Sequence, residues 1–228
     1  AHYNLCEAFK HLQRLDEAYA GYVQLLEENP AFAEAHAGLG TVLLAQHRVK
    51  EAKQSFEEAL RLKPGLVPAH YGLALCYKEL GLDFKAEACF RQALQHDTEH
   101  VPSHMGLARL LVESAGLYEQ AYECYQAAMR LSPQHPTASP EAVNVLEKLG
   151  RFDEAIAACN AAIRIEPDYA EAYYNESLVH LLQGDLATGL RLYEWRWRRG
   201  KEEIKIINFA QPQWDGKNIE GRTILLYA

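Results

Sequence analysis

Residues 67–100 read VPAHYGLALCYKELGLDFKAEACFRQALQHDTEH, and this stretch decides the fold. His70, Leu73, Ala74 and Tyr77 recur at i, i+3, i+4 and i+7, and Ala86, Phe90, Ala93 and Leu94 form a second stripe of the same kind. Such spacing puts apolar side chains on one face of a helix. Small residues (Ala74, Ala86, Ala93) mark where two helices approach closely, and Leu73, Tyr77 and Phe90 fill the space beside them. The stretch is therefore a helical hairpin. Shifted by about 34 residues either way, the pattern returns.

Outward from this copy, the repeat predicts units at about 1–32, 33–66, 67–100, 101–135, 136–169 and 170–200. Pro30, Pro64, Pro133 and Pro167 close four of them, because proline ends a helical hydrogen-bond ladder and pushes the preceding residue toward extended backbone; Thr98 stands at that place in the central copy. The fourth unit carries one extra residue, placed by the pattern in a turn near Ser114 to Gly116. The fifth opens with PTASPEAV, which offers Ser139 as a helix cap and Pro140 at the first helical position and predicts a short first helix. The sixth has Glu176, His180, Gly189 and Arg196 where apolar or small residues stood before. Beyond Gly200 the period stops, and two β-prone runs, Ile204–Phe209 and Thr223–Ala228, read as a linker and the first strand of a following domain over 201–228.

Charge and composition narrow the function. A net charge of -8 gives no general attraction for nucleic acid or anionic lipid, and no apolar run is long enough to insert in a membrane. The start inside a repeat, without Met, predicts a piece of a longer protein. Five cysteines (Cys6, Cys76, Cys89, Cys124, Cys159) form no C-x-x-C pair and read as small core residues of a reduced, cytoplasmic protein. A histidine column, His2, His36, His70 and His104, suggests metal. Equivalent helices cannot lie closer than about 8–10 Å, whereas Zn–N bonds are about 2 Å. The column is therefore not read as a metal site; the family resemblance given below implies that it replaces a bulky aromatic. No phosphate loop, nucleophile elbow or paired-carboxylate signature is present, so catalytic, cofactor and metal residues are expected to be none.

The pattern Leu39, Gly40, Leu43, Ala52, Phe56, Ala59 and Pro64, repeated along the chain, resembles the tetratricopeptide repeat family. The resemblance implies an all-α, right-handed α-solenoid of about six hairpins with a short extended tail, binding a protein or extended peptide in a concave groove. It assigns to that groove Tyr3, Asn4, Glu7, Thr41, Tyr71, Leu75, Lys78, Met105, Arg109, Asn144, Tyr174 and Asn175, with Tyr3, Tyr71 and Tyr174 as anchors. Members that clamp chaperone carboxylate tails carry a Lys/Asn/Arg set; Tyr3, Glu7, Ala37, Gly38 and Tyr71 stand there instead. The repeat arms of O-linked N-acetylglucosamine transferases carry an asparagine ladder, matched only by Asn4 and Asn175; Gly38, Gly72, Gly106 and Glu141 depart from it, and the glycines are expected to leave the groove floor open.

Lastly, LYEWRWRRG followed by FAQPQWDGKNIEGRTILL resembles the junction where bacterial repeat arrays run into a glycosyltransferase-like domain. Glu194, Trp195, Arg196, Trp197 and Arg198 match its helix end, and Pro212, Trp214, Asp215 and Gly216 its linker. This implies a partner-recognition arm whose following domain docks near Trp195 and Trp197, with catalysis placed beyond Ala228. A free-standing adaptor is the alternative. This segment itself is expected not to be an enzyme.

Overall fold

The computed structural model describes residues 2–133 and 138–199. The expectations for the linker and strand over 201–228 lie outside the described residues. Among the described residues, twelve α-helices pair in order: α1 (His2–His11) with α2 (Leu15–Glu28), α3 (Ala33–Ala45) with α4 (Val49–Leu62), and α5 (Val67–Glu79) with α6 (Asp83–His96). Then α7 (Val101–Leu110) pairs with α8 (Tyr118–Leu131), α9 (Ala138–Lys148) with α10 (Phe152–Ile165), and α11 (Ala170–Leu182) with α12 (Leu186–Tyr193). A 3-10 turn, Glu194–Arg198, ends the described chain. Each helix packs on the next, so the hairpins stack into an all-α solenoid whose core runs between them.

The breaks follow local chemistry. Asn29, Lys63, Ser132 and Glu166, each before a proline, leave helical backbone with φ between -132° and -139°. Asp97 does the same at φ -145° although Thr98 follows it, its N–H still bonded to the Ala93 carbonyl. Helix α9 begins at Ala138, ahead of the Ser139 cap read from the sequence, and is shorter than α3, α5 and α11.

Within each hairpin one residue turns the chain through the left-handed region: Gln13, His47, Gly81, Gly116, Gly150 and Gly184. Four are glycine, which enters that region without a Cβ clash. His47, exposed at φ 60°, bears that strain. His47→Gly is expected to raise the unfolding free energy by about 0.5–1 kcal/mol, and a destabilised variant in urea melts would contradict it.

The extra residue of the fourth unit is not in the turn. It widens the end of α7 into a π-helical turn, Leu111–Ala115, before Gly116 at φ 60°. A helix absorbs one residue this way without losing its core register, and Ala121 and Tyr125 remain buried in line. The widened turn also carries Glu113 to Lys78 (2.8 Å) and Ser114 Oγ, as donor, to Asp83 Oδ2 (2.6 Å).

The second helices bury small and aromatic residues at the period the sequence predicts. Ala18 and Tyr22, Ala52, Phe56 and Ala59, Ala86, Phe90 and Ala93, then Ala121, Tyr125 and Ala128 line the second helices. Cys159 stands in the fifth hairpin where the others have a ring. Cys6 and Cys76 are likewise buried, and Cys89 and Cys124 partly so. Burial pushes the Cys76 and Cys159 thiols up to about 12 and those of Cys89 and Cys124 up to about 11.

Candidate binding groove

The first helices of successive hairpins also touch one another: α1 with α3, α3 with α5, α5 with α7, and α9 with α11. These first helices form the row that carries the residues assigned to the groove. Its floor is not open. The rings of Tyr22, Phe56 and Phe90, each from the preceding hairpin, fill the space above Gly38, Gly72 and Gly106. A Cβ on Gly72 would sit 2.2 Å from Phe56 Cζ, on Gly38 2.5 Å from Tyr22 Cζ, and on Gly106 2.5 Å from Phe90 Cε1. These glycines admit a protein ring, not a ligand, which corrects the expectation drawn from glycine alone.

The plug changes at the fourth and fifth hairpins. The Tyr125 hydroxyl donates to the Glu141 carboxylate, and burial first, then that carboxylate, push the phenol far up. Arg109 Nε donates to both Glu141 oxygens at 2.9 and 3.0 Å. At the next junction, Cys159 of the fifth hairpin and Asn175 of the sixth occupy the ring and glycine positions.

Along the row, Asn4, Thr41 and Asn144 are exposed, Thr41 Oγ1 donating to the Ala37 carbonyl at 3.0 Å. Tyr3 packs on Phe32 and edge-on to Tyr22, and burial raises its phenol to about 12. Tyr71 lies between Phe90 (5.9 Å) and His100 (5.5 Å), and Leu75 is partly buried beside it. Met105 and Asn175 do not offer a free face: each is only 3% exposed. Met105 packs among Phe90, Leu107 and Ala108 in the core.

The row's charges are largely internal. Lys10 pairs with Glu7 (2.7 Å), Lys78 with Glu113 (2.8 Å), Arg109 with Glu141 (2.8 Å) and Arg199 with Glu171 (2.6 Å). Burial works against ionised Glu7, but bonds from Lys10 and Tyr22 hold it below the usual carboxylate range. The Arg199 guanidinium lies 3.8 Å above the Tyr174 ring. Sequence reading missed Glu113, Glu141, Glu171 and Arg199; the opposite charges of Arg109 and Glu141 on the first helices of successive units were the available signal.

The histidine column holds loops. Nε2 of His36, His70 and His104 donates to the carbonyls of Pro30 (2.9 Å), Pro64 (2.7 Å) and Thr98 (2.9 Å), tying each first helix to the preceding loop. Among the described residues no group of three or more His, Cys, Asp and Glu could hold a metal ion, and no helix is long and apolar enough to cross a membrane.

His70 also stacks on His96 at 5.5 Å, and His100 Nδ1 meets Ser103 Oγ at 2.7 Å. Burial lowers both His70 and His100 from their usual value, helped by His96 and His104 respectively, while the Pro64 carbonyl and Asp97 oppose. The unfolded chain thus binds these protons first. Stability is whole above about pH 6.5 and drains as pH falls through that value toward the folded pKa values. Burial raises Glu147, which acts in the opposite sense at lower pH. The melting temperature is expected to fall between about pH 7.5 and 6, and His70→Gln with His100→Gln to flatten that fall; identical pH profiles would contradict the assignment.

Models described as tetratricopeptide repeat match residues 33–66, 67–100 and 101–135, and one described as TPR repeat matches 144–184, together more than half of the chain. The chain belongs to the tetratricopeptide repeat family. No curated protein sequence matches it. Among solved structures, PilF of Pseudomonas aeruginosa is 19% identical with a TM-score of 0.75, over 87% of this chain and 90% of that one. YrrB, described as a TPR protein with an unusual peptide-binding site, is 21% identical with a TM-score of 0.67, over 80% and 94%. PilW, a type IV pilus biogenesis factor, is 16% identical with a TM-score of 0.74, over 87% and 91%. At these identities the likeness is one of fold.

Proposed function

We propose that this tetratricopeptide array is a scaffold that binds a protein or extended peptide segment along its inner row of helices. What supports the reading is that α1, α3, α5 and α7 touch in turn and α9 touches α11, these helices carrying exposed Asn4, Thr41 and Asn144 and the partly exposed rings of Tyr3, Tyr71 and Tyr174. Polar hydrogen-bonding groups beside rigid aromatic surface suit a main chain with intermittent apolar side chains. The peptide-binding site named for YrrB supports the reading by likeness. The test uses a library of capped heptapeptides and the full chain. Thr41→Arg and Asn144→Arg, both at exposed positions, should reduce peptide retention without lowering the melting temperature. Unchanged retention would move the site off this strip.

The finer reading makes the array the recognition arm of a bacterial, cytoplasmic glycosyltransferase-like protein, the following domain docking near Trp195 and Trp197. Its support is the LYEWRWRRG and PQWDG resemblance, together with an aromatic and cationic surface in which Trp195 stacks on Tyr173 at 4.0 Å, Arg198 covers Trp195 at 4.4 Å and Trp197 stays 42% exposed. Sequencing the parent gene past Ala228 tests it. A glycine-rich loop next in sequence favours the enzyme arm, and a stop codon or another repeat favours the adaptor.

A further inference from the structure

Helices α3 and α4 start at Ala33 and Val49, and α5 and α6 at Val67 and Asp83, so the second hairpin maps onto the third under one shift of 34 residues. In the third hairpin Tyr77, on α5, sits between two second helices. The Lys53 ammonium of α4 lies 5.9 Å and the Lys85 ammonium of α6 5.5 Å from its ring centroid, and the ring packs against two buried clusters. In the second hairpin Leu43 stands at the place of Tyr77, with Tyr19 of α2 and Glu51 of α4 at the places of the two lysines. Around these three residues the structure has a cavity of about 300 Å³, at the small end of the about 300–1,000 Å³ usual for ligand pockets. Leu39 of α3 and Gln54 and Ser55 of α4 complete most of its lining.

We propose that this cavity binds one neutral aromatic ring with a polar edge, of the phenol or indole class. The chain itself shows the fit, since a phenol ring fills the matching place one hairpin on. Leucine is shorter than tyrosine and leaves that volume empty. Leu39 and Leu43 offer apolar contact, and the partly exposed Tyr19 ring offers an edge or an offset face to a second ring. The Ser55 hydroxyl and the Gln54 amide each donate and accept, which suits an O–H or N–H at the ligand's edge. The charges of the lining are already engaged: Glu51 pairs with Arg48 at 2.6 Å, Glu58 with Arg61 at 2.7 Å, and His36 Nε2 bonds the Pro30 carbonyl. Arg48 also supplies the cationic contact of the Tyr19 ring, 4.8 Å from its centroid. A charged ligand would lose water here without a free counter-charge, so the site selects a neutral one. None of the lining residues is assigned to the groove, and this inference stands or falls apart from the groove reading.

Titrating the full chain with p-cresol, followed by backbone amide shifts in NMR, tests this. The shifts should gather on Tyr19, Leu39, Leu43 and Ser55 and saturate with a Kd of about 1 mM. Methylcyclohexanol, the saturated analogue, should bind about fivefold more weakly. Leu43→Tyr copies Tyr77 and should abolish the shifts without lowering the melting temperature. Tyr77→Leu should open a second site, seen as a second group of shifts around Lys53, Leu73 and Lys85. Four results each overturn the proposal: no saturation by about 10 mM, shifts scattered over the chain, equal affinity for the saturated analogue, or binding that survives Leu43→Tyr. If Leu43→Tyr does not fold, Tyr77→Leu decides, and the absence of a second group of shifts overturns it. A capped heptapeptide with one central tyrosine identifies the source of the ring. Binding tighter than that of p-cresol places the ring on a partner protein, and weaker binding makes it a free small molecule.

Discussion

Replacing Phe56 with Ala is expected to lower the unfolding free energy by about 3–5 kcal/mol. The ring is 1% exposed and touches two hairpins at once. In its own hairpin it lies 2.9 Å from where a Cβ on Gly40 would stand, and in the next hairpin 2.2 Å from where one on Gly72 would stand. Truncation therefore empties a space that neither glycine can refill. The stability of a stacked array is the sum of unit terms and nearest-neighbour interface terms. Phe56 contributes to one of each, so its loss should also uncouple α1 to α4 from the rest. Hydrogen exchange should show those helices opening before α5 to α8. Phe84→Ala is the control, since Phe84 is 86% exposed and its loss should change stability by no more than about 0.5 kcal/mol. A single cooperative melt for Phe56→Ala, within about 1 kcal/mol of the parent, would refute the plug. Gly72→Ala gives the converse. Its Cβ must push the ring aside, at a cost of about 1–3 kcal/mol, and Phe56→Leu in the same chain should recover part of it.

Much of this fold was legible because each hairpin announces itself locally. Helical stripes, the proline breaks and the small residues at Ala86 and Ala93 depend on neighbours a few residues away. The misread features depend on distant ones. Gly72 looked like open floor because the ring that fills it lies sixteen residues earlier, on another hairpin. The extra residue of the fourth unit showed as an insertion, but periodicity does not distinguish a longer turn from a widened helix end. Gln13 and His47 hold the left-handed turn position without the glycine that marks it elsewhere. Among the groove residues, the pairing of Arg109 and Lys78 was not legible, since a glutamate reaching across from the next hairpin is visible only once the helices are stacked. Met105 was placed by repeat position alone, and core packing decides its burial.

The fifth hairpin gives the sharper test of why the groove floor varies. In the register that pairs Tyr22 with Gly38 and Phe90 with Gly106, Cys159 pairs with Asn175, a small residue with a larger polar one in place of a ring and a glycine. The exchange conserves volume but buries an amide whose Nδ2 has no partner. Cys159→Phe alone should overpack the junction by about 1–3 kcal/mol, because the ring and the Asn175 side chain claim one space. Asn175→Gly alone removes a desolvated amide, a gain of about 1–3 kcal/mol, but adds a helix glycine and a void costing at least about 1 kcal/mol. Combined, they restore the plug of the first three hairpins. The double variant should be more stable than either single one, with a coupling energy of about 2–3 kcal/mol. Additive behaviour would mean that these residues do not share the space the register assigns them.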